Sequence, residues 1–302
     1  MFLVKQINPM PFIFSLLICG VFTPTSYEQS PKLLRNRLAI LHSIPLKWEN
    51  LADGFERTVL KFEGEGIIED KKSGKKQIVP RKVEAVVYRI EPSVYKVRVV
   101  SAFELTGKKT AFLSEIHART GAVLTINGGF FTKEGDPVGM LFSDGQKLAD
   151  YSEKGGSGIF AVWGKTLRIG WAQNVANSSP QPEQAVQSGP LLVEPGRVFG
   201  IYHIREKYFY RTAVGLDEHG RLLILLTKKI YGPNEMKSGL NLYETAAIFY
   251  DQASEGGLEA ISALNLDGGT STGMELTLGS YKEKIKVGIQ IPSFICVMSS
   301  AR

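Results

Sequence analysis

Short apolar segments separated by glycine-containing turns recur through most of this chain of 302 residues. Strand-like segments lie at 83–90, 95–103, 122–126, 159–163, 166–169, 191–193, 212–216, 222–227 and 260–266. The first two are rich in valine and alternate in part between apolar and polar residues, which is typical of β-strands with one buried face. The 31 glycines form short clusters without a fixed period, so the pattern predicts turns and loops rather than a solenoid or propeller.

Two segments carry convincing helix signals. Thr110 is placed to cap a helix that Gly121 would end, and Asn241 with Glu244 three residues later matches a capping box that opens a helix to about residue 253. Two helices among about ten strands predict an α+β fold. We expect a single domain in which a few helices flank a mixed, twisted β-sheet that can curl toward a barrel.

The N-terminus resembles an export signal. Lys5 precedes the apolar stretch 12–22, so residues 1–25 are predicted to be a signal peptide or N-terminal anchor, followed by a linker over 26–44 and a domain over 45–302. The apolar stretch is short for a bilayer span, which confines expected membrane contact to this segment. The protein is therefore expected in the periplasm, on the cell surface or outside the cell.

The chain has two cysteines, and neither is expected to form an internal disulfide after export. Cys19 lies in the apolar stretch behind the bulky Ile18, where a lipoprotein signal has a small residue, so lipidation is disfavoured. Cys296 lies in the apolar run 294–298 and is predicted to be a buried thiol.

The formal charge of +6 has its densest run at residues 70–82, which we interpret as a solvated hairpin. A basic surface favours anionic substrates. Basic residues are not interleaved with aromatic ones, and no nucleic-acid motif is visible, so a nucleic-acid partner is not expected.

The segment NLDGGTSTG at 265–273 places a carboxylate at a strand end before two glycines and three hydroxyl residues. Glycines let the backbone approach a ligand closely, and the amides of residues 269–272 can surround anionic oxygens. These features make Asp267, Gly268, Gly269, Thr270 and Ser271 candidates for a phosphate site. An ordinary Asp-Gly-Gly hairpin turn is the alternative explanation.

The same segment contains GTSTG, which fits the G-x-S-x-G pattern of serine hydrolases. That pattern requires a histidine after the serine, and all four histidines precede Ser271. A serine nucleophile is therefore disfavoured.

Three further polar clusters carry candidate binding residues. They are Asn127, Gly128 and Gly129 at a predicted strand end, Ser188 and Gly189 in QSGP, and Arg211 and Thr212 in RTAVG. Arginine suits bidentate phosphate binding. The sequence shows no H-x-H, HExxH, cysteine pair or tight acidic cluster, so neither a metal nor another cofactor is expected.

The motifs NGGFF, DPVGMLFSDGQ, QSGPLLV, RTAVGLDEHG and NLDGGTST, in this order, resemble the phosphodiester glycosidase domain family over about residue 48 to the C-terminus. The resemblance implies that the four clusters converge on one cavity. It also implies a bacterial-type hydrolase that cleaves the glycosidic bond of a sugar-1-phosphodiester, with a phosphorylated envelope or extracellular carbohydrate as partner.

A phosphate monoester is a good leaving group, so one carboxylate can suffice for this hydrolysis. We expect Arg211 to bind the phosphate and Asp267 to act as a general base or to stabilise the oxocarbenium-like centre. Two alternatives are a non-catalytic envelope protein that binds phosphoglycans and a phosphodiesterase that cuts the P–O bond. The oligomeric state is left open.

Overall fold

The computed structural model describes residues 38–40, 44–69, 74–205, 207–228 and 239–300. In these ranges nineteen strands and four α-helices are present. The helices are α1 (Ala102–Thr106), α2 (Leu113–Thr120), α3 (Ala172–Ala176) and α4 (Leu242–Tyr250). The strands are β1 (Leu38–Ile40), β2 (Glu49–Ala52), β3 (Phe55–Glu69), β4 (Lys76–Ile90), β5 (Tyr95–Ser101), β6 (Leu124–Asn127), β7 (Leu141–Ser143), β8 (Gln146–Ala149), β9 (Gly158–Trp163), β10 (Thr166–Trp171), β11 (Gln184–Ser188), β12 (Leu191–Glu194), β13 (Val198–Phe199), β14 (Thr212–Leu216), β15 (Leu222–Thr227), β16 (Ser262–Asn265), β17 (Met274–Leu278), β18 (Tyr281–Ile285) and β19 (Ser293–Ser299).

The strands form three sheets. The largest has nine strands in the order β1-β3-β4-β15-β14-β16-β12-β13, with β2 also pairing to β3. The two others have five strands each, in the orders β10-β9-β11-β7-β8 and β18-β17-β6-β19-β5. Few helices accompany this much sheet, which confirms the predicted α+β class.

The sheets differ from the expectation in strand direction and closure. Every strand pairing in the described residues is antiparallel rather than mixed, and each sheet is open instead of curling into a barrel. Short connections such as the one between β14 and β15 explain part of this result, because a parallel neighbour requires a crossover of a dozen or more residues.

The nine-stranded sheet buries residues on both faces. On one face Val86, Tyr88 and Ile224 pack with residues of the two smaller sheets, and on the other Val87 and Leu225 pack under α4. This double burial explains why β14 and β15 are mostly apolar and buried at every residue. The loops that begin at the ends of β14 and β15 are therefore attached to fixed strands.

Both predicted helices are present, with one correction. The capping box is confirmed, since the Asn241 side chain accepts from the Glu244 amide at 2.8 Å and Glu244 Oε2 accepts from the Asn241 amide at 2.9 Å. Helix α4 then ends at Tyr250, three residues earlier than expected. The other helix, α2, follows Phe112 rather than Thr110, and Gly121 ends it as predicted.

The charged run at 70–82 was predicted to be a solvated hairpin, and β3 and β4 do form an antiparallel hairpin whose strands pair from Glu69 and Lys76 onward. Residues from Lys76 onward belong to β4, and Arg81 is 1% exposed, so the expectation of a solvated segment is wrong at that position. Its partner, Glu244, is distant in sequence. Cys296 is buried as predicted.

Residues 1–25 and most of the linker lie outside the described ranges, so the N-terminal assignments stay predictions. In the part of the chain that is described, no helix is long and apolar enough to cross a membrane.

Candidate active site

A cavity of about 770 Å³ opens where loops leave the ends of several strands. Its lining comes from segments far apart in sequence, including the turn before β9, the β11–β12 connection, the segment before β14 and the turn after β16. The lining residues are Phe130, Gly156, Ser157, Gly189, Pro190, Phe209, Arg211, Leu242, Asn265, Asp267, Gly268, Gly269 and Thr270.

Asp267 lies two residues after β16 and is partly buried at the cavity wall. Burial raises the pKa of its carboxyl group, although hydrogen bonds from the Ser271 hydroxyl and the Gly268 amide oppose that shift. The Gly268 bond to Oδ1 is 2.9 Å long. A raised pKa makes the carboxylate a stronger proton acceptor than an exposed aspartate.

Arg211 immediately precedes β14 and is 8% exposed. Its Nε donates to the Leu240 carbonyl at 2.9 Å and its Nη2 to the Lys207 carbonyl at 3.4 Å, while the guanidinium lies over the Phe209 ring at 5.4 Å. Among the described residues no carboxylate forms an ion pair with it. Burial lowers the pKa of Arg211 to about 10, and the charge of Glu244 partly offsets the shift.

The two segments that carry Arg211 and Asp267 are joined directly. The Gly269 amide donates to the Tyr210 carbonyl at 2.8 Å, so the residue before Arg211 is bonded to the turn after Asp267. A cation without an anionic partner and a carboxyl group with a raised pKa therefore line one cavity. This arrangement can bind an anion and accept a proton beside it.

Asn127 and Thr212 lie behind the cavity rather than on its surface. Thr212 Oγ1 donates to Asn127 Oδ1 at 2.7 Å, and Asn127 Nδ2 donates to the Asp267 carbonyl at 2.8 Å. The Gly273 amide adds a bond of 3.3 Å to Asn127 Oδ1. The two side chains thus fix the backbone of Asp267 and are not placed to touch a ligand.

Gly128 and Gly129 also lie behind the wall, where the chain packs too closely for a side chain. A Cβ at Gly129 would lie 2.3 Å from the Gln187 carbonyl oxygen, and one at Gly128 would lie 2.4 Å from Ser293 Oγ. The glycine pair of NGGFF is therefore explained by close backbone packing.

The other predicted residues divide between the surface and the layer behind it. Gly189, Gly268, Gly269 and Thr270 line the cavity. Ser188 and Ser271 are buried behind it, and the Ser188 hydroxyl has no partner among the described residues.

Three of the four amides that were expected to be free, those of Gly269, Ser271 and Thr272, are bonded within the chain. Residues Gly269–Ser271 form a 3₁₀ turn, in which the Ser271 amide donates to Gly268 and the Thr272 amide to Gly269. The Gly268 amide is taken by Asp267, and the Gly269 amide by Tyr210. These bonds leave Arg211 as the main anion-binding group of the wall.

Asn265 is a cavity residue that sequence reasoning did not select. Its Nδ2 donates to the Gly189 carbonyl at 2.8 Å and the Leu266 carbonyl at 2.7 Å, and its Oδ1 has no partner among the described residues. Two carbonyl acceptors on one nitrogen fix the orientation of this amide. A polar residue that ends a buried apolar strand is the signal that could have identified it.

Phe209, Phe130 and Leu242 give the cavity an apolar side. Phe130 is partly buried at the cavity. Across the described ranges, no three His, Cys, Asp or Glu side chains come together as a possible metal site.

A sequence match identifies the family to which this chain belongs. The phosphodiester glycosidase family matches residues 120–298, which is more than half of the chain and includes every candidate site residue. The chain therefore belongs to this family.

Two solved structures share the fold. The catalytic domain of zebrafish N-acetylglucosamine-1-phosphodiester α-N-acetylglucosaminidase, auto-inhibited by its pro-peptide, has a TM-score of 0.58 and 18% identity over 87% of this chain and 89% of that domain. A hypothetical protein from Synechocystis has a TM-score of 0.53 and 18% identity over 85% of this chain and 64% of its own.

One curated relative is similar in sequence. The uncharacterized protein YigE of Escherichia coli is 25% identical over 154 residues, which is 47% of this chain and 60% of YigE. The match thus spans less than two thirds of that relative.

Proposed function

We propose that this chain hydrolyses the glycosidic bond of a sugar-1-phosphodiester, releasing the sugar and a phosphomonoester. One observation carries the proposal: Arg211, which has no carboxylate partner in the described ranges, shares a cavity with Asp267, whose pKa is raised by burial. A buried cation is costly unless an anion joins it. The planar guanidinium matches the oxygens of a phosphate.

The bond that breaks joins the anomeric carbon to the phosphate oxygen. Its electron pair leaves with the phosphate, and Arg211 stabilises the negative charge that develops there. Water supplies the oxygen that bonds to the anomeric carbon, and Asp267 accepts the water proton or stabilises the oxocarbenium-like centre. Asn127 and Thr212 contribute by holding the Asp267 backbone.

The proposed substrate is a phosphorylated glycan of the cell envelope or exterior. The N-terminal pattern over 1–25 supports export, and the basic surface of a chain with formal charge +6 supports an anionic polymer.

The decisive test is an assay of the purified chain on a panel of sugar-1-phosphodiesters in ¹⁸O-labelled water. We expect turnover with the label on the sugar, because the anomeric C–O bond breaks. Label on the phosphate would instead identify a phosphodiesterase that cuts the P–O bond. Binding of the diesters without turnover would identify a phosphoglycan-binding protein.

Asp144→Asn is a matched control for the variant Asp267→Asn. Asp144 pairs with Arg98 at an exposed turn, lies at φ 45°, where asparagine is well tolerated, and does not line the cavity. Turnover that Asp144→Asn keeps and Asp267→Asn loses would locate the chemistry at the cavity.

A further inference from the structure

Behind the cavity wall lies an ion pair that the mechanism above does not use. Arg81 of β4 donates to Glu244 of α4 through Nη1 at 2.6 Å and Nη2 at 3.0 Å. The side chains are 0% and 5% exposed. Removing two charges from water offsets much of their attraction, so such a pair is weak support for stability and calls for another explanation.

The pair fixes the chain that enters α4. Arg81 Nη2 also donates to the Gly239 carbonyl at 2.6 Å, and Glu244 Oε2 accepts from the Asn241 amide at 2.9 Å. Leu240, between Gly239 and Asn241, is therefore held from both sides. The Arg81 guanidinium also lies 3.6 Å from the centre of the Tyr208 ring, which fixes the neighbouring segment.

Leu240 connects this pair to the catalytic cavity. Its carbonyl accepts the Nε–H of Arg211 at 2.9 Å, and its backbone exchanges two hydrogen bonds with Phe209, at 3.1 and 2.9 Å. The contact at Nε determines how the guanidinium plane is oriented, because the group is planar and rigid. Phe209 and Leu242, on either side of these contacts, line the cavity.

We propose that Arg81 and Glu244 are positioning residues for Arg211: their ion pair holds the Leu240 carbonyl, which orients the guanidinium so that its other N–H groups face a bound phosphate. Glu244 also favours the charged form of Arg211, against the effect of burial. This inference rests on the proposed role of Arg211 as the phosphate-binding residue.

The test is a double-mutant cycle with Glu244→Gln and Arg211→Lys. Glutamine is an accepted third residue of a capping box, so Glu244→Gln removes the charge and weakens the Arg81 pair while it keeps the cap. Affinity for inorganic phosphate is measured by calorimetry for the wild type, both single variants and the double variant, and turnover of a cleavable diester is measured in parallel.

If Glu244 acts through Arg211, Glu244→Gln lowers phosphate affinity about tenfold when Arg211 is intact. This is the effect expected from misalignment of one charge-assisted hydrogen bond. In the Arg211→Lys background the same change has less than about a twofold effect, because the oriented fork is already lost. Equal losses in both backgrounds would show a general structural effect and overturn the inference.

A variant without a lone buried charge and a control outside the cavity complete the test. Arg81→Met with Glu244→Gln removes both charges, so no lone charge is left buried, and it too is expected to bind phosphate more weakly than wild type. If the variant with Arg81→Met and Glu244→Gln folds and binds phosphate as tightly as the wild type, the inference is overturned. Glu283→Gln, in an ion pair with Arg57 that does not line the cavity, should leave phosphate affinity unchanged.

The phosphate cycle separates this inference from the proposed function. Phosphate binding with the expected coupling, but no turnover of any diester, would support the positioning role and contradict the hydrolase proposal. Absence of phosphate binding by the wild type would remove the role of Arg211 and this inference with it.

Discussion

Two groups of polar side chains in this molecule differ in how completely they are paired. Glu283 in β18 accepts hydrogen bonds from Arg57 Nε at 2.8 Å, Arg57 Nη2 at 3.0 Å, Tyr88 at 2.7 Å and Tyr281 at 3.1 Å. In the cavity, Arg211 has no carboxylate partner among the described residues, and Asp267 accepts from Ser271 and Gly268.

The difference is expressed in the acidity of the two carboxyl groups. Burial raises both pKa values, but the bonds from Arg57 and Tyr88 reverse that effect at Glu283 and hold its pKa at about 2. At Asp267 burial prevails and the pKa stays raised. Glu283, whose oxygens are fully hydrogen-bonded, is suited to hold two sheets together. Arg211 and Asp267 are less completely paired and can still bind a ligand or accept a proton.

Asp267→Asn gives the sharpest contrast. Loss of a general base or charge stabiliser costs about 10²–10⁴-fold in kcat. Because the wild-type carboxylate is penalised by burial, we expect the free energy of unfolding at neutral pH to stay equal or rise. Steady-state kinetics and urea unfolding measure the two effects, and wild-type kcat in a folded variant would show that Asp267 is not catalytic.

Glu283→Gln is expected to lower stability and to leave turnover unchanged. It leaves Arg57 with only the weaker contact to the exposed carboxylate of Glu49 at 3.4 Å, which lowers the free energy of unfolding by about 2 kcal/mol. Kinetic constants should be unchanged, because Glu283 does not line the cavity. A stable variant with impaired turnover would mean that the two clusters are not functionally separate.

The strands and the α4 cap could be predicted because their signals are local. Alternation, glycine positions and the spacing of Asn241 and Glu244 depend on neighbours within a few residues. The convergence of the four polar clusters was inferred only from the family resemblance.

Other features depend on contacts between distant segments. Arg81 was assigned to a solvated run because its partner lies 163 residues away, and Thr212 was expected at the ligand although it bonds Asn127, 85 residues distant. The amides of residues 269–272 were expected to be free, but the 3₁₀ turn occupies those of Ser271 and Thr272, and this turn has no sequence signature that distinguishes it from an open loop. Tertiary packing decides each of these points.

Arg211→Lys tests whether geometry or charge is required in the cavity. An ammonium keeps the charge but cannot give two parallel hydrogen bonds to phosphate, so we expect a loss of about ten- to a hundredfold. The loss should fall on kcat if Arg211 stabilises the leaving phosphate and on KM if it only anchors the ground state. Arg57→Lys is the matched control, and a folded Arg211→Lys protein with unchanged kinetics would exclude the phosphate-binding role.

The pH dependence of stability should have opposite signs in the two clusters. The pKa of Glu283 is lowered, so its contribution is present above the ordinary value of about 4.3 and is lost as pH falls toward 2. Allowing for partial solvent screening, about 2 kcal/mol is at stake. The pKa of Asp267 is raised, so its burial penalty applies at neutral pH and disappears as pH falls.

Urea unfolding of the wild type, Glu283→Gln and Asp267→Asn at pH 6 and at about pH 3 measures both effects. At the lower pH, the free energy of unfolding of the wild type should exceed that of Glu283→Gln by less than it does at pH 6. Relative to Asp267→Asn, the free energy of unfolding of the wild type should rise. Parallel pH profiles for both pairs would mean that the pairing difference does not determine the ionisation of these carboxyl groups.

The smallest expected effect is that of a chelator. If Asp267 acts as a proton acceptor or charge stabiliser, turnover survives prolonged treatment with EDTA, because neither role requires a divalent ion. If Asp267 instead binds a metal, chelation abolishes turnover and one divalent ion restores it, since such a site loses its metal when a stronger ligand competes. Complete loss of turnover that one divalent ion restores would show that Asp267 is a metal ligand. Its carboxyl group would then not be the unsaturated group that the comparison with Glu283 assumes. Unfolding curves with and without EDTA make the distinction sharper, because a resident metal would stabilise the native state and its removal would lower the unfolding midpoint.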